Sequence, residues 1–315
     1  TEFYDAPAAL PTVEHATIRE DLFRRDFTIN AMAASLKAED FGRLVDPFGG
    51  RRDLEQRTIR ILHNLSFIDD PTRIFRAIRY ETRLGFRMSA RTERLARAAL
   101  EMGFVGDLSS ARLGDELVTL LDERDAGAAI LRMAELGADK AVHQHLAADD
   151  EAVALLDRLR DLRDRYELPI PSWRLGLAVL ARRLPPDELY DWLSRMKVRR
   201  ADAERIAFAV TVGPRIVERV RTTRAPSEVV ALAEPYAPDA PLFALALEPE
   251  LQPLHEYFDR LRDVRLEIDG SDLAQLGLGE SPRVGAVLAE LRRRKLNGEL
   301  DGRDSELAAA RELIG

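Results

Sequence analysis

Hydrophobic and polar positions along this chain fall into two regimes. Up to about Leu62 the apolar residues come in short runs and brief alternations, and from Asp70 they recur at helical spacing nearly to the end. In the first regime Thr17-Ile18-Arg19-Glu20 fits a capping box that opens a short helix. Leu44-Val45 reads as a strand running into the turn Asp46-Pro47-Phe48-Gly49-Gly50, where Pro and Gly supply the turn dihedrals. Ile59-Arg60-Ile61 alternates as a strand does, and the stretch from Phe27 to Leu36 reads as a helix capped by Asp26. Strands this few do not make a self-standing sheet, so chain upstream of Thr1 is expected to complete it.

In the second regime Asp70-Pro71 is a helix start, with Asp as N-cap and Pro at the first helical position. Ile74, Phe75 and Ile78 give that helix its apolar side. Arg91 to Leu100, Leu108 to Leu121 and Ala128 to Leu136 continue as amphipathic helices, with Gly103 and Gly137 as stops. Prolines at Leu168 to Pro171, Pro185-Pro186 and Glu234 to Pro241 punctuate the second half. No fixed-period repeat is present, and Trp173 and Trp192 fall in helical context as core residues.

The length of 315 residues and 46% hydrophobic content suit two or three compact units with a real core. No apolar run approaches the roughly 20 residues that span a bilayer, and the expected location is cytoplasmic. Cysteine is absent, which excludes disulfides, thiolate metal sites and a cysteine nucleophile. A net charge of −8 argues against a basic nucleic-acid coat without excluding local RNA contacts. The basic residues are arginine apart from Lys37, Lys140, Lys197 and Lys295, and arginine suits bidentate recognition of phosphates and bases. The histidines, His143-Gln144-His145 included, show no ligand spacing, and no Gly-rich phosphate loop occurs.

Two islands carry candidate chemistry. Arg73, Arg76 and Arg79 form a drifting stripe on one side of the helix after Asp70. Three neighbouring cations repel unless an anion such as a nucleoside triphosphate, salt-bridging acids or solvent offsets them. Asp70 and Arg73, three apart at a helix start, are able to face one ligand. A carboxylate accepts from an exocyclic amine while a guanidinium donates to a ring nitrogen. Cytosine and adenine match that pair; uracil and guanine present a carbonyl beside a ring N–H and do not. In Arg24-Arg25-Asp26, Arg25 suits a triphosphate and Asp26 a ribose 2′-hydroxyl, with Asn30 in support. The alternative for Arg24-Arg25-Asp26 is a solvated loop.

Together these islands resemble the class II tRNA nucleotidyltransferase and bacterial poly(A) polymerase family. Asp21-Leu22-x-Arg24-Arg25-Asp26-Phe27-Thr28-Ile29-Asn30-Ala31 is similar to its ribose-recognition motif. Asp46-Pro47-x-Gly49-Gly50-x-x-Asp53-Leu54 resembles its flexible head–neck element. Asp69-Asp70-x-x-Arg73 resembles its amino-acid template, with Asp69 where Glu is usual. Arg112 and Glu116 resemble a neck motif, with Ala111 where Glu is usual. Ile268-Asp269-Gly270-x-Asp272-Leu273 resembles a tRNA-holding tail. Phe3-Tyr4 through His15 looks most like long members fused to DHH and CBS domains.

The resemblance implies an α+β truncated nucleotidyltransferase head at 1–62, a helical neck at 63–125, and a helical body and tail at 126–315. It implies addition of CMP and/or AMP to tRNA 3′ ends without a nucleic-acid template. Arg25, Asp70, Arg73, Arg76 and Arg79 would contact the incoming CTP or ATP, and tRNA is the partner. The rivals are a poly(A) polymerase and a non-catalytic RNA-binding fragment. Phosphoryl transfer of this kind uses two Mg²⁺ ions. The family's Gly-Gly strand–turn and Asp-x-Asp metal ligands are expected upstream of Thr1, so no catalytic or metal-binding residue is assigned here and the chain alone is expected to be inactive.

Overall fold

The computed structural model describes residues 2–3, 12–13, 17–106, 110–279 and 281–314. Much of the Tyr4 to His15 stretch, and Leu108, lie outside them. The chain divides into two compact units, residues 1–160 with 170–206, and residues 161–169 with 207–315.

The first unit begins with strands β1 (Glu2–Phe3) and β2 (Thr12–Val13), paired antiparallel. Helix α1 (Ile18–Phe23) opens on the expected capping box. Thr17 Oγ1 accepts from the Glu20 N–H, and the Glu20 carboxylate accepts from the Thr17 N–H at 2.8 Å. The expected helix from Phe27 to Leu36 is not formed. Thr28–Asn30 makes one 3₁₀ turn, and the chain then extends into β3 (Ala33–Ala34), which pairs antiparallel with β4 (Leu44–Val45). The Asp46 carboxylate accepts from the N–H groups of Gly50 and Arg51 at 2.7 and 3.0 Å, starting α2 (Gly50–Glu55). Strand β5 (Thr58–Ile59) follows, shorter than the alternation predicted, with Ile61 bridging to Phe27.

After α3 (Ser66–Asp69) comes α4 (Thr72–Leu84), the central helix of the unit. The regular helix begins at Thr72, one residue later than expected, with Pro71 at the cap position, but Asp70 still closes its start: Oδ1 accepts from the Thr72 N–H at 3.1 Å and from Thr72 Oγ1 at 2.6 Å. Ile74, Phe75, Ala77 and Ile78 are wholly buried. Strand β6 (Arg87–Met88) pairs parallel with β5. Helices α5 (Ala90–Glu101), α6 (Ser110–Leu121) and α7 (Ala126–Leu136) follow, and α6 and α7 both pack on α4. Gly103 and Gly137 act as the predicted stops, with φ of 79° and 80°. Next come α8 (Ala138–Val142), α9 (Asp150–Arg165), α10 (Ser172–Leu180), α11 (Pro186–Arg195) and α12 (Arg200–Val220); the last turn of α9 and most of α12, from residue 207 on, belong to the second unit. Pro171 precedes α10, and Pro186 sits in the first turn of α11. Trp192 is core; Trp173 is half-buried.

The second unit contains α13 (Pro226–Ala233), α14 (Asp239–Leu247), α15 (Gln252–Asp259), α16 (Gly270–Gln275), α17 (Pro282–Leu296) and α18 (Gly302–Ile314). Ile268, Leu273, Leu291 and Ala310 form a small core beneath α16 to α18. Within it the fully buried Glu306 accepts from the N–H groups of Glu267 and Ile268 and from Lys295 Nζ, so no charge there is left uncompensated. Among the described residues no helix is long and apolar enough to cross a membrane.

Candidate nucleotide-binding site

The short α1 ends at Phe23 and delivers Arg24-Arg25-Asp26 to the edge of α4. Asp21, one turn back, accepts from Arg24 at 2.6 Å and from Arg25 at 3.1 Å. The Arg25 side chain remains half exposed. Asp26 is buried and fully engaged. Its Oδ1 accepts from the Phe27 N–H at 2.9 Å and from Asn30 Nδ2 at 3.0 Å, and its Oδ2 accepts from Arg76 Nε and Nη2 at 2.9 and 2.6 Å.

The arginine stripe on α4 meets that carboxylate and others. Arg76 also donates to Glu116 on α6 at 3.1 Å. Burial works against its charge, but Asp26 and then Glu116 outweigh this and raise its pKa above the ordinary arginine value. Arg79 is held more loosely. It lies 3.7 Å from Glu116 Oε2 and 3.9 Å from Glu123, and among the described residues neither its buried Nε nor Glu116 Oε2 has a hydrogen-bond partner. Of the three offsets open to the stripe, salt-bridging acids are the one visible here, supplied from outside α4.

Asp70 and Arg73 lie at the head of the same helix. Arg73 donates through Nη1 to Ser66 Oγ at 2.7 Å and through Nη2 to the Arg24 carbonyl at 2.8 Å, leaving its Nε 3.9 Å from Asp70 Oδ2. Asp70 Oδ2 accepts from Arg112 at 2.6 Å. Both members are only 14% and 19% exposed, so the surrounding contacts hold the pair's geometry. The structure therefore brings Arg25, Asp26, Asn30, Asp70, Arg73, Arg76 and Arg79 together around one end and side of α4.

Several supporting residues escaped the sequence reading. Ser66 and Thr72 orient Arg73 and Asp70; the run Asp70-Pro71-Thr72, a cap followed by a second hydroxyl, was the available signal for Thr72. Thr28 donates to the buried Asp53 at 2.7 Å, and Arg60 donates to the same carboxylate at 2.9 Å, joining the Asp26–Ala31 segment to the Asp-Pro-x-Gly-Gly element. A Cβ on Gly50 would lie 2.2 Å from the Thr28 carbonyl oxygen, so glycine is what lets α2 approach the 3₁₀ turn. Gly50→Ala is expected to cost roughly 1–3 kcal/mol in urea unfolding; an unchanged midpoint would show that the two segments separate freely.

The site does not suit a catalytic metal pair on its own residues. Its two central carboxylates, Asp26 and Asp70, are each taken by a guanidinium. Among the described residues no three His, Asp or Glu groups converge there.

A family model described as the poly A polymerase head domain matches residues 1–60. The A-adding tRNA nucleotidyltransferase of Geobacter sulfurreducens is 37% identical over 99% of this chain, which spans 37% of that protein. The one from Aquifex aeolicus is 33% identical over 94% of the chain, which spans 36% of it. The chain thus covers little more than a third of these two relatives. For the A-adding enzyme of Halalkalibacterium halodurans the identity is 31% over 99% of the chain, and 72% of that protein is covered. Among solved structures, the Thermotoga maritima CCA-adding enzyme complexed with tRNA superposes with a TM-score of 0.81 at 31% identity, over 95% of this chain and 74% of that one. The likeness extends well past the head-domain match and through the helical part, and on it the chain belongs to the class II tRNA nucleotidyltransferase family.

Proposed function

We propose that this chain is the nucleotide-selecting and RNA-holding portion of an enzyme that adds AMP to the 3′ end of tRNA without a nucleic-acid template. The observation that carries the reading is the Asp70–Arg73 pair, oriented by Ser66, Thr72 and Arg112 at the head of α4. Asp70 accepts from the adenine N6 amine and Arg73 donates to N1. Asp26 and Asn30 meet the ribose, and Arg25, Arg76 and Arg79 meet the triphosphate of ATP. The AMP reading is favoured because the relatives that align along nearly the whole chain are named A-adding enzymes. The second reading, addition of both CMP and AMP, is favoured by the solved CCA-adding enzymes with CTP and with ATP, and the same pair accepts cytosine.

In this proposal residues 1–62 belong to the head, 63–125 to the neck and 126–315 to the tRNA-binding body and tail, in a cytoplasmic enzyme. Mg²⁺ would be held by carboxylates other than those of this site, and would activate the tRNA 3′-hydroxyl and steady the leaving pyrophosphate. The test offers labelled ATP and CTP, singly and together, to the full-length polypeptide containing this chain. The acceptors are one tRNA ending in its discriminator base and one ending in CC. AMP entering only the CC-ended tRNA supports A addition; CMP entering the shorter tRNA establishes CCA addition. A homopolymeric A tail on either would establish poly(A) synthesis, and no incorporation would leave RNA binding as the function.

A further inference from the structure

The chain has five histidines and no cysteine. His143 and His145 flank Gln144 in the turn after α8, a spacing that by itself defines no ligand set. The fold brings Glu188, in the first turn of α11, against both rings. Glu188 Oε2 lies 2.6 Å from His145 Nδ1 and 3.6 Å from His143 Nε2, and the ring centroids are 5.7 Å apart. All three ligand-type atoms lie within 4.8 Å of one another, the only such trio of His, Asp or Glu among the described residues.

We propose that His143, His145 and Glu188 form a binding site for a divalent transition-metal ion, zinc(II) foremost. Two imidazoles and one carboxylate match zinc and its neighbours in the series, whereas Mg²⁺ and Ca²⁺ select all-oxygen sites. Zinc bonds of roughly 2.0–2.2 Å at tetrahedral angles place ligand atoms about 3.3 Å apart. The 3.6 Å separation is already close to that, and the 2.6 Å hydrogen-bonded separation must open by about 0.7 Å. Glu188 is 34% exposed and has room to make that adjustment. His143 is nearly buried.

One contact is exchanged. His143 Nδ1 now accepts from the His145 N–H at 3.2 Å; a metal on Nε2 requires the proton on Nδ1, so binding breaks that contact. The ion would tie the turn ahead of α9 to the start of α11 and leave a coordination position for water.

The test is calorimetric titration of ZnCl₂ into the tag-free, chelator-treated protein, followed by NMR of the histidine ring nitrogens. One saturable equivalent is expected, with the His143 and His145 ring signals shifted and that of His255 unmoved. His145→Ala and Glu188→Gln should each weaken binding at least the roughly tenfold typical of losing even an outer hydrogen-bond partner. His255→Ala should leave it unchanged. Glu188→Gln preserves shape and hydrogen bonding, so its effect reports ligation rather than folding. Absence of saturable binding, equal binding in both variants, or unshifted His143 and His145 rings would each overturn the proposal.

Discussion

Replacing Arg132 by alanine is expected to destabilise the first unit by about 3–5 kcal/mol, because it strands a charge in the core. Arg132, on α7, is 9% exposed and donates to Glu81 at 2.8 Å, to Glu93 at 2.7 Å and to Glu135 at 2.9 Å. Glu81, on α4, has no exposed side-chain surface and, among the described residues, otherwise accepts only the Met88 N–H, at 2.6 Å. Three helices thus meet on one guanidinium, and the β6 strand joins them through Glu81. Burial opposes its charge, yet the three carboxylates raise its pKa. Urea unfolding followed by fluorescence of the buried Trp192 measures the loss. Arg132→Met, which restores volume but not charge, should lose nearly as much, and adding Glu81→Gln should recover part of it. A loss below about 1 kcal/mol, the value of an exposed pair, would mean that solvent reaches Glu81.

Acid should act in the same direction. Hydrogen bonds from Arg132 and then Arg97 hold the Glu93 carboxyl below its ordinary value of 4.5. A carboxylate depressed in the folded state stabilises it above the unfolded pKa. That contribution fades as pH falls from about 4.5 through the folded value.

The second large effect is expected at Asp70, measured as nucleotide choice in the full-length polypeptide. Asp70→Asn keeps an oxygen to accept from Thr72, so the start of α4 survives, but it sets an amide donor where the base's exocyclic amine must be accepted. On the proposed function, discrimination between ATP and GTP should fall roughly 10- to 100-fold, the equivalent of losing about 1–3 kcal/mol of base readout. Affinity for tRNA should be unchanged. Asp70→Ala should show the same loss of choice together with about 1 kcal/mol less stability, since the cap is gone. Intact choice in both variants would refute the assignment of Asp70 as a base-reading group.

Local signals were legible in the sequence where they close over a few residues. The Thr17–Glu20 capping box, the Asp70 cap and the Gly103 and Gly137 stops each depend on neighbours within a turn. The stretch after Asp26 departs from its helical pattern because its conformation is decided far away: Thr28 is drawn to Asp53, and Ala33–Ala34 pairs with Leu44–Val45. Helical periodicity cannot register such partners. The same holds at the site. Spacing placed Arg73, Arg76 and Arg79 on one side of a helix, but not that Asp26 and Glu116, 50 and 40 residues distant, share Arg76. Nor did it place Glu188, 43 residues on, against His145.

The Arg76 bridge carries one further consequence for how a nucleotide would be sensed. On the proposed reading a ribose hydroxyl competes for the Asp26 oxygen that Arg76 now occupies, and a triphosphate competes for Arg76 itself. Either event releases the other's partner, so sugar and phosphate recognition share one free energy, and by linkage each must strengthen the other equally. Preference for ribose over deoxyribose should then grow with the number of phosphates on the nucleotide, a dependence that two independent subsites would not produce.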